Sequence, residues 1–197
     1  MSRFIQIGNT KIDDSSKCFV IAEIGHNHQG NVDTAKKMIK AAVDAGASAV
    51  KLQKRDNRSL FTAAYYDRPY NSENSFGNTY GEHREFLEFN HDQYKELQNC
   101  SNELGTIFFA TAFDFKSADF LQNLDVPAFK IASGDLKNIP LINYVADFGK
   151  PLIISTGGGY QEDIDRVVES LENKKAPYSI LQCTAGYPPT WNELNLG

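Results

Sequence analysis

Six short apolar runs recur along the chain, at Cys18–Gly25, Ala47–Gln53, Thr106–Phe113, Ala128–Gly134, Pro151–Gly157 and Ser179–Thr184. Their apolar residues are continuous, not alternating, which is how strands buried on both faces of a parallel sheet read. Helical patterns fill the gaps. Val32–Ala45 places Ala35, Met38, Ile39, Ala42 and Val43 on one face and is closed by Gly46. His91–Leu104 repeats the pattern and ends at Gly105, and Lys116–Leu124, Ile139–Phe148 and Gln161–Leu171 complete the set. The alternation predicts an α/β fold of βαβ units with right-handed crossovers. A doubly wound open sheet and a (β/α)8 barrel both fit it. A barrel takes about 250 residues and eight units, and this chain of 197 residues offers fewer.

Arg55 to Glu88 breaks the rhythm. It is rich in Tyr, Asn, Ser and Gly without a clear period, so it reads as one long loop after the second strand. On a barrel it would lie over the face where the strand C-termini converge.

Ionisable and polar residues fall near the ends of nearly every run. Glu23 stands on the first, Lys51 and Gln53 on the second, and Thr111 on the third. Lys130, Ser133 and Asp135 follow on the fourth, Ser155 and Thr156 on the fifth, and Gln182 and Thr184 on the sixth. Buried strands rarely carry such groups without a partner or a task. Repeated over so many strands, they point to a shared pocket at the C-terminal ends, where α/β barrels place their active sites. Two lysines, several hydroxyls and the glycine turns after Ser133 and Thr156 suit a phosphate or carboxylate. Glu23 and Asp135 are placed to orient hydroxyls or move protons.

The bulk numbers narrow the ligand. With 41% hydrophobic and 23% charged residues and a net charge of −5, nucleic acid and an anionic membrane are poor partners. A small anion in a local basic pocket is not excluded. The three cysteines are far apart and lack CxxC spacing, so neither a disulfide framework nor a zinc site is expected, and a reducing cytoplasm is. Met1–Asp14 has no long apolar run and predicts neither signal peptide nor membrane span. His26 and His28 stand as His-x-His without a third ligand nearby, leaving structural or substrate-positioning roles at least as open as a metal one. His83 and His91 read as surface or packing residues.

The motifs around these residues resemble the sialic acid synthase family. Ile21-Ala-Glu-Ile-Gly-His-Asn-His-Gln-Gly30 is similar to its opening motif. Val50-Lys-Leu-Gln53, Phe129-Lys-Ile-Ala-Ser-Gly-Asp135, Ile154-Ser-Thr-Gly157 and Leu181-Gln-Cys-Thr-Ala-Gly-Tyr-Pro188 follow in the family's order. Arg68-Pro-Tyr70 with Thr79-Tyr-Gly-Glu-His83 looks most like the animal-type branch. The resemblance implies a (β/α)8 TIM barrel, of which roughly six βα units lie in this chain. It also implies condensation of phosphoenolpyruvate with N-acetylmannosamine or its 6-phosphate, giving N-acetylneuraminate or its 9-phosphate plus phosphate.

By the same resemblance, Glu23, Gln53 and Asp135 position the reacting centre or the sugar, though many relatives have Glu where this chain has Asp135. Lys51, Thr111, Lys130, Ser133 and Ser155 hold the phosphoenolpyruvate. Asn74, Tyr80, Gln182 and Tyr187 are further substrate contacts, and Arg68 or another loop cation meets an acceptor phosphate. The family uses Mn2+ or Mg2+ held by two histidines on later strands, in motifs not found before Gly197. Its members usually carry an antifreeze-like C-terminal domain, also not found here, and form homodimers in which that domain reaches the partner's active site. The expectation is therefore a single synthase barrel domain over 1–197, C-terminally incomplete and by itself inactive. The alternatives are a related nonulosonic acid synthase, a Schiff-base aldolase using Lys51 or Lys130, and a non-catalytic fragment retaining the anion pocket.

Overall fold

The computed structural model describes residues 4–196. Its first elements are β1 (Phe4–Ile7) and β2 (Thr10–Asp13), an antiparallel hairpin where no element was expected. The signal was the two-residue Gly8-Asn9 turn, with Gly8 at a φ of 56°, a conformation that hairpins demand.

From there strands and helices alternate. β3 (Ile21–Gly25), α1 (Val32–Asp44) and β4 (Ala49–Lys54) come first. The presumed loop then holds three short helices, α2 (Asn57–Leu60), α3 (Ala63–Tyr66) and α4 (Tyr80–Phe86). They are too short to show a period, and their caps carry the information instead. Thr79 Oγ1 accepts from Glu82 N while Glu82 Oε2 accepts from Thr79 N, a reciprocal capping box. α5 (His91–Glu103), β5 (Ile107–Ala112), α6 (Phe115–Asn123), β6 (Phe129–Ile131) and α7 (Ile139–Ala146) follow. The series ends with β7 (Leu152–Ser155), α8 (Gln161–Lys174) and β8 (Tyr178–Leu181). α8 outruns its apolar pattern because Glu172 to Lys174 are polar, and it stops where Lys175 turns left-handed at a φ of 54°.

The chain divides into two compact units, Cys18–Val126 and the described parts of Met1–Lys17 with Pro127–Gly197. In the first, β3, β4 and β5 pair in parallel in that order. Its core is Ile39 from α1, Val50 and Leu52 from β4, Leu97 from α5 and Phe109 from β5, all essentially buried. In the second, β6, β7 and β8 pair in parallel, and Phe129, Ile131, Ile154, Leu141 and Leu171 fill the space under α7 and α8. The continuous apolar runs thus became strands with buried faces, as burial on both sides requires. Among the described residues no helix is long and apolar enough to cross a membrane.

Candidate active site

In the unit Cys18–Val126, parallel pairing sets Glu23 beside Lys51 across β3 and β4, and Gln53 beside Thr111 across β4 and β5. Lys51 lies in mid-strand and is 5% exposed. Its ammonium is ion-paired with Glu23, donates to Thr111 Oγ1 at 2.8 Å and lies 3.4 Å from Leu52 O. Burial pushes the Lys51 pKa down, and the neighbouring Glu23 carboxylate partly restores it. Because Thr111 Oγ1 accepts from the lysine, its own O–H is left to donate elsewhere. Glu23 is about half-exposed, and its Oε1 lies 3.4 Å from Gln53 Nε2. Gln53 is oriented from behind, since Arg55 donates to its Oε1 at 2.8 Å.

The second unit repeats the lysine–hydroxyl arrangement. Lys130, on β6 and 8% exposed, donates to Ser155 Oγ on β7 at 2.5 Å and to Ile131 O at 2.6 Å. Ser133 opens the one-turn helix Ser133–Asp135, where its Oγ accepts from Gly157 N at 3.0 Å. Asp135 is half-buried and accepts from Asn138 Nδ2 at 3.3 Å. Thr156 was expected to offer its hydroxyl to an anion. That hydroxyl donates to Leu181 O at 2.8 Å, so it ties β7 to β8.

The remaining expected contacts are placed differently. Asn74 is exposed, with its backbone N–H donating to Ser72 Oγ at 3.3 Å. Tyr80 opens α4, and its phenol accepts from Arg84 Nε at 2.9 Å and Nη2 at 2.8 Å. Gln182 donates to Leu194 O at 3.3 Å, and Tyr187 is 99% exposed.

One cluster was missed by sequence reasoning. Glu88 closes the long loop with its side chain buried. Its Oε2 accepts from Lys54 Nζ at 2.8 Å and from Arg55 N at 3.3 Å, and its Oε1 lies 3.4 Å from His26 Nε2. Burial raises the Glu88 pKa, but the contacts with His26 and Lys54 outweigh it and hold the carboxyl below its usual range. The only sequence signal was its place just before Asn90, which caps α5 by accepting from Gln93 N. His28 resolves the His-x-His question. It is buried, stacks on Phe89 with ring centroids 4.1 Å apart, and accepts from Gly30 N at Nδ1. Burial first and His26 second push its pKa down to about 4, so it is a neutral packing residue near pH 7. His83 is likewise buried, against Tyr70 and Phe76, while His91 is exposed beside Asp92.

The described residues do not fit a resident metal: no group of three or more His, Cys, Asp or Glu side chains is gathered among them. What they do fit is an anion, met by an ammonium and a hydroxyl on neighbouring strands in each unit.

Comparison with known proteins identifies the family. N-acetylneuraminate-9-phosphate synthase of Mus musculus is 43% identical over 91% of this chain and 50% of its own length. The Drosophila melanogaster enzyme of the same name is 47% identical over 86% of this chain and 46% of its own. The chain spans about half the length of the curated relatives it matches. Among solved structures, the N-acetylneuraminic acid synthetase of Leptospira borgpetersenii serovar Hardjo-bovis superposes with a TM-score of 0.85 at 32% identity, covering 100% of this chain and 64% of that one. The fold is accordingly the α/β, TIM-barrel-type fold of such synthases. Residues 38–197 match the family model for NeuB, and on that match and these identities the chain belongs to the NeuB family.

Proposed function

We propose that this chain takes part in condensing phosphoenolpyruvate with N-acetylmannosamine or its 6-phosphate, releasing phosphate. The observation that carries the reading is Lys51, buried on β4 and shared between Glu23 and Thr111. Each lysine–hydroxyl pair suits an anionic oxygen group of the kind phosphoenolpyruvate carries. An incoming anion displaces Glu23 from the ammonium and takes the free O–H of Thr111 as a second donor. Ser155, accepting from Lys130, offers its O–H in the same way.

In the reaction, C3 of phosphoenolpyruvate attacks the aldehyde carbon of the open-chain sugar and positive charge develops at C2. Water adds at C2, and the tetrahedral centre expels phosphate. The buried Lys51 ammonium holds an anionic substituent while this charge redistributes. Glu23 and Gln53, half-exposed beside Lys51, orient an acceptor hydroxyl. We propose a homodimer for the full-length form, on the family resemblance.

Phosphoenolpyruvate-dependent phosphate release by the full-length protein, with N-acetylmannosamine or its 6-phosphate and added manganese, tests the reading. Lys51→Met is expected to weaken phosphoenolpyruvate binding by about a hundredfold. Release that does not depend on the acceptor, or an unchanged affinity in Lys51→Met, sinks it.

Burial lowers the Lys51 pKa, which favours a second reading, a Schiff-base aldolase. Against it, Glu23, Thr111 and Leu52 O together meet the ammonium in its charged form. Borohydride trapping with pyruvate separates the two, since a covalent adduct on Lys51 would replace the condensation reading.

A further inference from the structure

Arg55 follows β4 directly and is 9% exposed, deeper than an arginine usually lies. Its contacts, all within the unit Cys18–Val126, fix it at both ends. The backbone N–H donates to Glu88 Oε2 at 3.3 Å, and Glu88 is itself held by Lys54. The guanidinium lies 3.6 Å from the Phe113 ring centroid and 3.5 Å from His26 Nε2. From this seat Nη2 donates to Gln53 Oε1 at 2.8 Å. The Gln53 backbone is pinned too, because its carbonyl accepts from the phenol of buried Tyr94 at 2.8 Å.

The contact sets the polarity of a side chain at the candidate site. A glutamine amide has an accepting end and a donating end, and either can be turned to a ligand. A guanidinium has donors only, so the end of Gln53 that meets Arg55 has to be the oxygen. The amide NH2 is thereby turned the other way, where Nε2 lies 3.4 Å from Glu23 Oε1. Glu23, ion-paired with Lys51, presents a carboxylate that can only accept. A donor beside an acceptor matches a hydroxyl, which accepts from one and donates to the other. Gly25 borders the pair: a Cβ there would stand 3.2 Å from Glu23 Oε1 and 3.5 Å from Gln53 Nε2. Any larger residue at that position would crowd both groups.

We propose that Arg55 is a positioning residue that locks the Gln53 amide with its N–H groups towards the acceptor sugar. The inference rests on the condensation reading for its substrate. Without Arg55 the amide keeps only its long contact with Glu23, and its other rotamers become accessible. Affinity for the sugar then falls with the fraction of molecules that still present the N–H groups. Phosphoenolpyruvate is met by Lys51 and Thr111 and is indifferent to that rotation.

Calorimetric titration of the full-length protein with N-acetylmannosamine or its 6-phosphate, and separately with phosphoenolpyruvate, tests the assignment. Arg55→Met is expected to weaken sugar binding about tenfold, the loss of one hydrogen bond's worth of orientation, and to leave phosphoenolpyruvate binding within about twofold. Arg55→Lys, which still donates, is expected to recover part of the loss. The deciding comparison adds Arg55→Met to Gln53→Ala, where sugar binding should fall no further because no amide is left to orient. An equal fall with and without Gln53 overturns the proposal, since Arg55 then acts on the fold at large. So does sugar binding that a folded Arg55→Met leaves unchanged. Should Arg55→Met fail to fold, Gln53→Glu decides. It keeps an oxygen for Arg55 and removes only the outward donor, so a folded variant with sugar binding lost supports the role, and one with sugar binding retained overturns it. Phosphate release from phosphoenolpyruvate is read separately. Sugar binding that follows this pattern without release sinks the condensation reading alone, and acceptor-dependent release indifferent to Arg55 sinks the positioning role alone.

Discussion

Lys51 on β4 and Arg84 on α4 belong to the same unit, yet one has a carboxylate beside it and the other a phenol. At the strand, positive charge is compensated within the chain by Glu23, and the neighbouring Lys54 by Glu88. In the loop, Arg68 and Arg84 rest on the rings of Tyr65 and Tyr80, and among the described residues neither forms an ion pair with a carboxylate. The difference separates two ways to meet an anion. A compensated lysine must exchange its carboxylate for the ligand, so its net gain is small and its selectivity comes from geometry. An arginine held on aromatic rings has no paired carboxylate to exchange and keeps more of its attraction for an incoming anion.

The largest effect expected from disturbing this contrast is at Glu88. Glu88→Gln leaves the largely buried Lys54 without its carboxylate. Removing one partner of such a pair is expected to cost about 3–5 kcal/mol of stability. Arg84→Gln, which removes a charge that had no counter-ion, is expected to cost less than about 1 kcal/mol. Urea unfolding of both variants checks this, and similar losses would erase the distinction between the two regions.

A smaller effect follows from His28. It titrates near 6.5 when unfolded and at about 4 when folded. Between those values the unfolded chain holds the extra proton, so stability falls as pH drops through 6.5 towards 4. The expected loss from about pH 7 to about pH 5 is about 2 kcal/mol. His28→Gln should flatten that part of the profile, and an unchanged slope would place the titrating group elsewhere.

The strand chemistry was legible for a simple reason. Lys51, Thr111 and Lys130 are polar residues inside apolar runs, and a buried polar group stands out against a continuous hydrophobic background. The family motifs then assigned them a task. Pattern alone did not show that Thr156 bonds a backbone carbonyl, or that Tyr187 points into solvent, because a motif fixes residue type and not orientation. Of the loop arginines only Arg68 was singled out by the resemblance, and Arg55 and Arg84 were not. Arg55, Arg68 and Arg84 are scattered over a segment whose helices are too short for a period, and only folding brings them around Tyr80. Glu88 was hidden for the same cause, a single carboxylate at a loop end among many exposed ones.

What holds the loop arginines in place is packing, and Gly81 is where that can be tested without touching a charge. A Cβ at Gly81 would stand 2.2 Å from Cδ1 and Cε1 of Tyr66, itself 5% exposed. The glycine therefore lets α4 lie directly on the Tyr66 ring, and α4 carries both Tyr80 and Arg84. Gly81→Ala is expected to destabilise the protein by about 1–3 kcal/mol through overpacking. It should also loosen the Tyr80–Arg84 contact that α4 carries, seen as faster hydrogen exchange over Tyr80–Phe86. The strand site, built on β3, β4 and β5, should keep its affinity for phosphoenolpyruvate. Adding Tyr66→Leu frees space under position 81 and should recover part of the lost protection. If Gly81→Ala weakens phosphoenolpyruvate binding along with the exchange protection of α4, the two regions are one mechanical unit and the contrast between them does not extend to function.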